Sequence, residues 1–193
     1  MKICLPVLRN STNRLYSSRH TDMRDMKTDH LSRKYKVRKL TEADCPAIYE
    51  LCRKNPLYYR HCPPFVTEEG ILRDMKALPS GKTMKDKFYI GFYDNNTLTA
   101  VMDLIRGFPD ETTAFIGFFM VDISCQKHGV GSAIIDELCK ALPEEGMSAV
   151  RLGWVKGNPQ AEHFWKKNGF SETGKTSETD HYTIVYAEKK ISC

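Results

Sequence analysis

Seven consecutive residues, Gln126-Lys127-His128-Gly129-Val130-Gly131-Ser132, stand between an apolar run and an amphipathic one, and their types suit one task. Amides at a helix start lack intrahelical acceptors, and the helix end carries about half a positive charge. A pyrophosphate is therefore the natural ligand of such a turn. Gly129 and Gly131 let the backbone approach phosphate oxygens without a clashing Cβ. A Walker A turn would need Gly-Lys-Ser or Gly-Lys-Thr. A dinucleotide fingerprint would need a third glycine, which Gly129-Val130-Gly131-Ser132-Ala133-Ile134 lacks. Taken alone, the turn reads equally well as a structural link from strand to helix.

Other residues could carry chemistry. A proline-rich segment, 55–65, holds Tyr58, Tyr59, His61 and Phe65, and its prolines predict an irregular loop. Asp103 lies in an apolar run, where a carboxylate is either a base or a solvated strand residue. Seven cysteines, without a C-x-x-C spacing or a histidine pair, argue against a disulfide framework and a zinc site and for a reduced, cytoplasmic chain. Cys125 precedes Lys127 and His128, but neighbours along a loop need not converge, so an ordinary thiol is the simpler reading.

The elements that must position these groups follow from periodicity. Residues 35–40 alternate as an edge strand, and Ile48, Leu51 and Cys52 share a helix face behind Thr41 or Asp44. Thr67 caps a second helix carrying Ile71, Met75 and Leu78. Strands are expected at 88–93, 98–106 and 113–121, then a helix from Val130 to Leu142, a strand at 148–154, a helix at 159–167, and strands at 170–173 and 182–188. The fold class is α/β: a mixed, mostly antiparallel seven-stranded sheet with one parallel crossover and flanking helices.

With 193 residues, 41% hydrophobic and 27% charged, the chain suits one domain. The longest apolar run, 114–121, is far short of the ~20 residues of a membrane helix, so no membrane association is expected. The net charge of +5 sits in residues 1–39, with eleven Lys or Arg against three acids; the remainder holds 18 against 21. A slightly acidic body is not a nucleic-acid surface. Residues 1–34 read as a basic tail, whose alternatives are a transit segment, a flexible arm, or sequence upstream of a start at Met23 or Met26.

Q-x-x-G-x-G behind Val121-Asp122, followed about thirty residues later by Asn158-Pro159-Gln160-Ala161 and then Phe164-Trp165 and Gly169-Phe170, resembles the GNAT superfamily of acetyl-coenzyme A dependent N-acetyltransferases over residues 35–190. The resemblance implies acetyl-CoA as co-substrate, no metal, and a gap between strands 113–121 and 148–154 that takes the pantetheine arm. It implies pairing of that arm with main-chain groups from Phe119 to Val121 and with Asn158. Gln126, His128, Gly129, Val130, Gly131 and Ser132 would hold the pyrophosphate.

Amine attack on the thioester would pass through an oxyanion and expel a thiolate. Trp165 stands beside the cofactor where many members have a proton-donating tyrosine, and an indole N–H is no usable acid. Tyr182, His163 and His181 are then the candidate acids, and Asp103 or a water chain the base. Tyr58, Tyr59 and His61 would border the acceptor pocket. The expected acceptor is a small-molecule primary amine. The alternatives are a protein lysine or N-terminus, or a catalytically silent acyl-CoA sensor. Homodimerisation, common in the family, stays open.

Overall fold

The computed structural model describes residues 26–192. The expectations placed on residues 1–25, including a start at Met23, lie outside them. Seven strands form one sheet in the order β1-β2-β3-β4-β5-β7-β6: β1 (Lys36–Lys39), β2 (Lys87–Asp94), β3 (Thr97–Arg106), β4 (Thr113–Val121), β5 (Ala149–Val155), β6 (Ser171–Glu178) and β7 (Thr183–Lys190). Only β4 and β5 run parallel. The β2–β3 hairpin closes through Asn95 and Asn96, both at positive φ, the conformation a tight two-residue turn requires and asparagine tolerates.

Helices cover both faces, which is why β4 is buried along its whole length. On one face α4 (Val130–Ala141) and α5 (Pro159–Lys167) bury Ile90, Leu104, Ile116, Ile135, Leu152 and Trp165. On the other, α1 (Cys45–Arg53) and α3 (Glu68–Lys76) bury Ile48, Leu51, Ile71, Tyr89, Val101 and Phe118. Local chemistry sets the helix starts. Thr67 Oγ1 accepts from Gly70 N–H at 3.0 Å, and the Asp44 carboxylate accepts from Thr41 N–H at 2.8 Å.

Three expectations need correction. Residues 55–65 are not irregular throughout: α2 spans Pro56–His61. Proline suits a first helical position, where its missing N–H has no acceptor to satisfy, and Pro63 and Pro64 follow the helix end. The ordered fold begins before residue 35, since Met26 and Leu31 are buried in the α4-side core and Ser32 hydrogen-bonds Glu137 of α4. Strand β6 reaches Glu178 rather than stopping at 173. No helix among the described residues is long and apolar enough to cross a membrane.

Candidate functional site

The opening lies between β4 and β5. Their parallel pairing extends only from Thr113↔Ala149 to Ile116↔Leu152, although β4 runs to Val121 and β5 to Val155. Each strand stays braced on its far side, β4 by β3 up to Ala100↔Val121 and β5 by β7 up to Val155↔Ile184. The sheet therefore parts into two arms beyond Ile116.

A one-residue bulge decides which backbone groups face that opening. Asp103 pairs with Phe118 but Leu104 with Ile116, so Gly117 is the extra residue. Before the bulge, Thr112 C=O accepts from Ser148 N–H at 2.8 Å on the β5 side, and Thr113 C=O from Phe108 N–H at 2.9 Å on the β3 side. After it, Asp122 N–H donates to Thr99 C=O at 2.8 Å, so Met120 turns to β3 while Phe119 and Val121 direct their backbone groups to the open edge. A Cβ at Gly117 would stand 2.9 Å from Asp103 Oδ2. Only glycine fits beside that carboxylate.

The turn after β4 ends as an outward-facing helix start. Gly129 sits at φ +79° with open space where a Cβ would be, so its requirement is conformational. The first bond of α4 is Ala133 N–H to Gly129 C=O at 2.9 Å, which leaves the amides of Val130, Gly131 and Ser132 pointing out of the helix end. Lys127 and His128 are exposed beside them. Gly131 has a different reason: a Cβ there would meet the Phe164 ring at 3.1 and 3.3 Å and Val121 Cγ2 at 3.4 Å. Its smallness lets α5 approach α4. The Gln126 side chain points into the protein, with Nε2 donating to Asn55 Oδ1 at 2.6 Å and Val121 C=O at 3.0 Å. It ties α2 to the end of β4.

Asn158, after β5, caps α5: its Oδ1 accepts from Ala161 N–H at 3.1 Å. Trp165 is 2% exposed among the rings of Phe119, Phe164 and Phe170, with centroids 6.1, 4.9 and 5.2 Å away. It belongs to the core behind the opening. His163 and His181 are exposed.

Asp103 is neither solvated nor an unengaged base. Lys87 Nζ lies 2.8 and 2.7 Å from its two oxygens and also donates to Ala77 C=O at 2.9 Å. Burial raises the Asp103 pKa to about 6, opposed by the Lys87 charge and hydrogen bond.

Helix α2 crosses the mouth of the opening. Its N-cap Asn55 meets Gln126 on the β4 arm, and Cys62, after its last turn, donates from Sγ to Tyr182 Oη at 3.4 Å, just before β7 on the other arm. Between them Tyr58 packs against the cores of both sheet faces, edge-on to Phe118 at 6.2 Å. Its hydroxyl is buried and finds no well-formed hydrogen bond, the Cys62 thiol being a nearby weak partner. Burial pushes its pKa well above the ordinary phenol value. Tyr59 points elsewhere, with Phe65, Tyr89, Glu69, Arg73 and Asp74 lining a cavity of about 250 Å³ on the α1–α3 side. His61 is not among its walls.

The structure thus gathers Phe119, Val121, the 126–132 turn and Asn158 around one opening, with Tyr58 across it, Tyr59 to one side and Trp165 behind. The roles of Asn55, Cys62, Lys87 and Gly117 escaped the sequence reading. A glycine inside an apolar strand is a bulge signal, and Asn55-Pro56 is a helix-start signal.

A model of the acetyltransferase (GNAT) family matches residues 46–170, more than half of the chain. No curated protein matches the chain. Among solved structures, it is similar to an acetyltransferase from Thermus thermophilus, with a TM-score of 0.66 and 16% identity over 82% of this chain and 97% of that one. Spermidine N-acetyltransferase from Vibrio cholerae, in complex with CoA and spermine, gives a TM-score of 0.63 and 15% identity over 82% and 96%. The ribosomal-protein-S18-alanine N-acetyltransferase from Escherichia coli gives 0.59 and 18% over 82% and 95%.

Proposed function

The chain belongs to the GNAT acetyltransferase family, and from that premise we propose that it transfers the acetyl group of acetyl-coenzyme A directly to the primary amine of a small molecule. The observation that carries this is the parting of β4 from β5 beyond Ile116, with the outward amides of α4 past the end of one arm and Asn158 past the end of the other. The residues fit the cofactor: a diphosphate suits the amides of Val130, Gly131 and Ser132, and the buried, unsatisfied Tyr58 hydroxyl offers a polar group on the helix that bridges the two arms. Bound acetyl-CoA supplies the activated thioester.

This chain's groups then divide the work. The α4 N-terminus neutralises phosphate charge, and the exposed Lys127 and His128 stand beside it. Main-chain groups of Phe119 and Val121 align the arm along the open edge, while Asn158 holds it from the β5 side. Helix α2 shields the mouth from water. The cavity beside Tyr59 takes the amine, and its wall, with Glu69 and Asp74 against Arg73, keeps one net negative charge toward it. Asp103 is engaged with Lys87, so water in the cavity is the route by which the amine loses its proton.

Two features favour a small acceptor over a protein chain. The cavity, at about 250 Å³, lies just below the ~300–1,000 Å³ usual for small-ligand sites, too small for a folded segment of protein chain, and the Cys62–Tyr182 contact closes the mouth between α2 and the β6–β7 loop. The test is titration calorimetry with acetyl-CoA, followed by a transfer assay on pooled primary amines and, separately, on peptides with free N-termini and lysines. Heat with acetyl-CoA and acetylated small amines are expected. No heat sinks the transferase reading, and binding without any transfer selects a silent sensor. Acetylated peptides alone select a protein acceptor.

A further inference from the structure

We propose that Tyr58 is a catalytic residue whose hydroxyl donates a hydrogen bond to the thioester sulfur as that sulfur takes on negative charge. This deepens the acetyl-transfer reading and rests on it. The sulfur of a thioester must leave with an electron pair, and position 165 offers it no phenol: its indole is 2% exposed and packed among Phe119, Phe164 and Phe170.

Tyr58 comes from a different element and reaches the opening from the other side. A side chain can touch the cores of both sheet faces only where the strands part or end, and Tyr58 touches both. It is held there from both directions, three residues after Asn55, which is fixed to Gln126 on the β4 arm, and four before Cys62, which reaches Tyr182 on the β7 arm. Three- and four-residue spacings place all three groups along one side of α2.

The Tyr58 hydroxyl is buried without a well-formed hydrogen bond, an arrangement native proteins rarely leave without a use. The nearby Cys62 thiol donates to Tyr182 Oη and is too weak a partner to compete with an anionic sulfur. Burial keeps the phenol protonated through the neutral range, so it arrives as a donor. In the step itself the amine lone pair forms the new C–N bond and the C–S bond breaks with its pair remaining on sulfur. Tyr58 O–H stabilises that charge and keeps its own proton. The proton shed by nitrogen passes through water to the sulfur, leaving amide and free thiol.

The test uses the full chain and Tyr58→Phe, with coenzyme A as the probe. Calorimetry first shows whether each binds coenzyme A and acetyl-CoA. The thiolate absorbance of bound coenzyme A, taken as a difference against desulfo-coenzyme A, is then followed with pH. A donor to the sulfur favours the thiolate, so the bound thiol should titrate about one to two pH units lower in the wild type than in Tyr58→Phe. Turnover of the variant should fall about 10–100-fold, with KM for acetyl-CoA changed less than about threefold. In the wild type, the Cζ carbon resonance of Tyr58 should shift with coenzyme A and not with desulfo-coenzyme A, a readout that needs no variant. Equal thiol titration in both proteins, or a Tyr58 resonance indifferent to the sulfur, overturns the proposal. Absence of binding by the wild type overturns the transferase reading itself.

Discussion

Replacing Asp103 by asparagine should be among the most destabilising single changes in this protein. The Lys87 side chain is 1% exposed, and its ammonium lies 2.7 Å from Asp103 Oδ2. At an effective dielectric of about 20, unit charges at that separation attract by about 6 kcal/mol. Asparagine removes the charge and keeps the shape, leaving Lys87 with Ala77 C=O at 2.9 Å, which cannot neutralise it. Breaking one side of a buried pair costs about 3–5 kcal/mol, or roughly 6–20 °C in Tm for a domain of this size. The pair is not a net gain over apolar residues, because both charges lose their hydration on burial. Lys87→Met combined with Asp103→Asn should therefore recover at least half of the loss. Urea unfolding at about pH 7, followed by far-ultraviolet circular dichroism, measures all three proteins. A single variant within about 1 kcal/mol of the wild type, or a double variant no better than the single, would refute the account.

Gly131→Ala must push the Phe164 ring, 3.1 Å from the new methyl, and should cost about 1–3 kcal/mol while weakening acetyl-CoA binding, read by thermal melting and calorimetry. Gln126→Ala strips partners from Asn55 Oδ1 and Val121 C=O, so a loss of about 1–3 kcal/mol in urea unfolding should accompany faster hydrogen exchange in α2. Asp44 is held at a pKa of about 2, chiefly by its Arg38 hydrogen bonds. Its stabilisation is present above the unfolded value near 3.8 and is lost as pH falls through about 2. Because Arg38 is 43% exposed, the loss should be only about 1 kcal/mol, and Asp44→Asn should flatten that acid limb.

What was legible in the sequence was local. The strands from Lys87 to Val121 show as apolar runs between turn residues, and α4 shows as a 3.6-residue apolar period behind two glycines, because each signal depends on a few adjacent side chains. The Lys87–Asp103 pair was not legible. Its partners are sixteen residues apart and meet only through the β2–β3 register. The orientation of Phe119 and Val121 was illegible for the same reason: Gly117 announces a bulge, but only its place opposite Asp103 turns those two residues to the open edge.

Position 165 and position 58 show how far motif spacing can carry a chemical role. Trp165 keeps its place in the spacing from Asn158 to Gly169, yet an indole there meets Phe170 at 5.2 Å and Phe119 at 6.1 Å and is drawn into the core. Tyr58 sits in a segment whose prolines suggested no structure, and it acquires a buried hydroxyl because α2 is anchored to both arms at once. A donor needed at one point in space can come from any element that reaches it. Since α2 is anchored at its two ends, loosening either anchor should impair the sulfur contact without touching Tyr58 itself. Gln126→Ala therefore has a second expected consequence: the bound thiol should titrate higher than in the wild type, toward the Tyr58→Phe value, and an unchanged titration would show that the β4-arm anchor does not set the position of Tyr58.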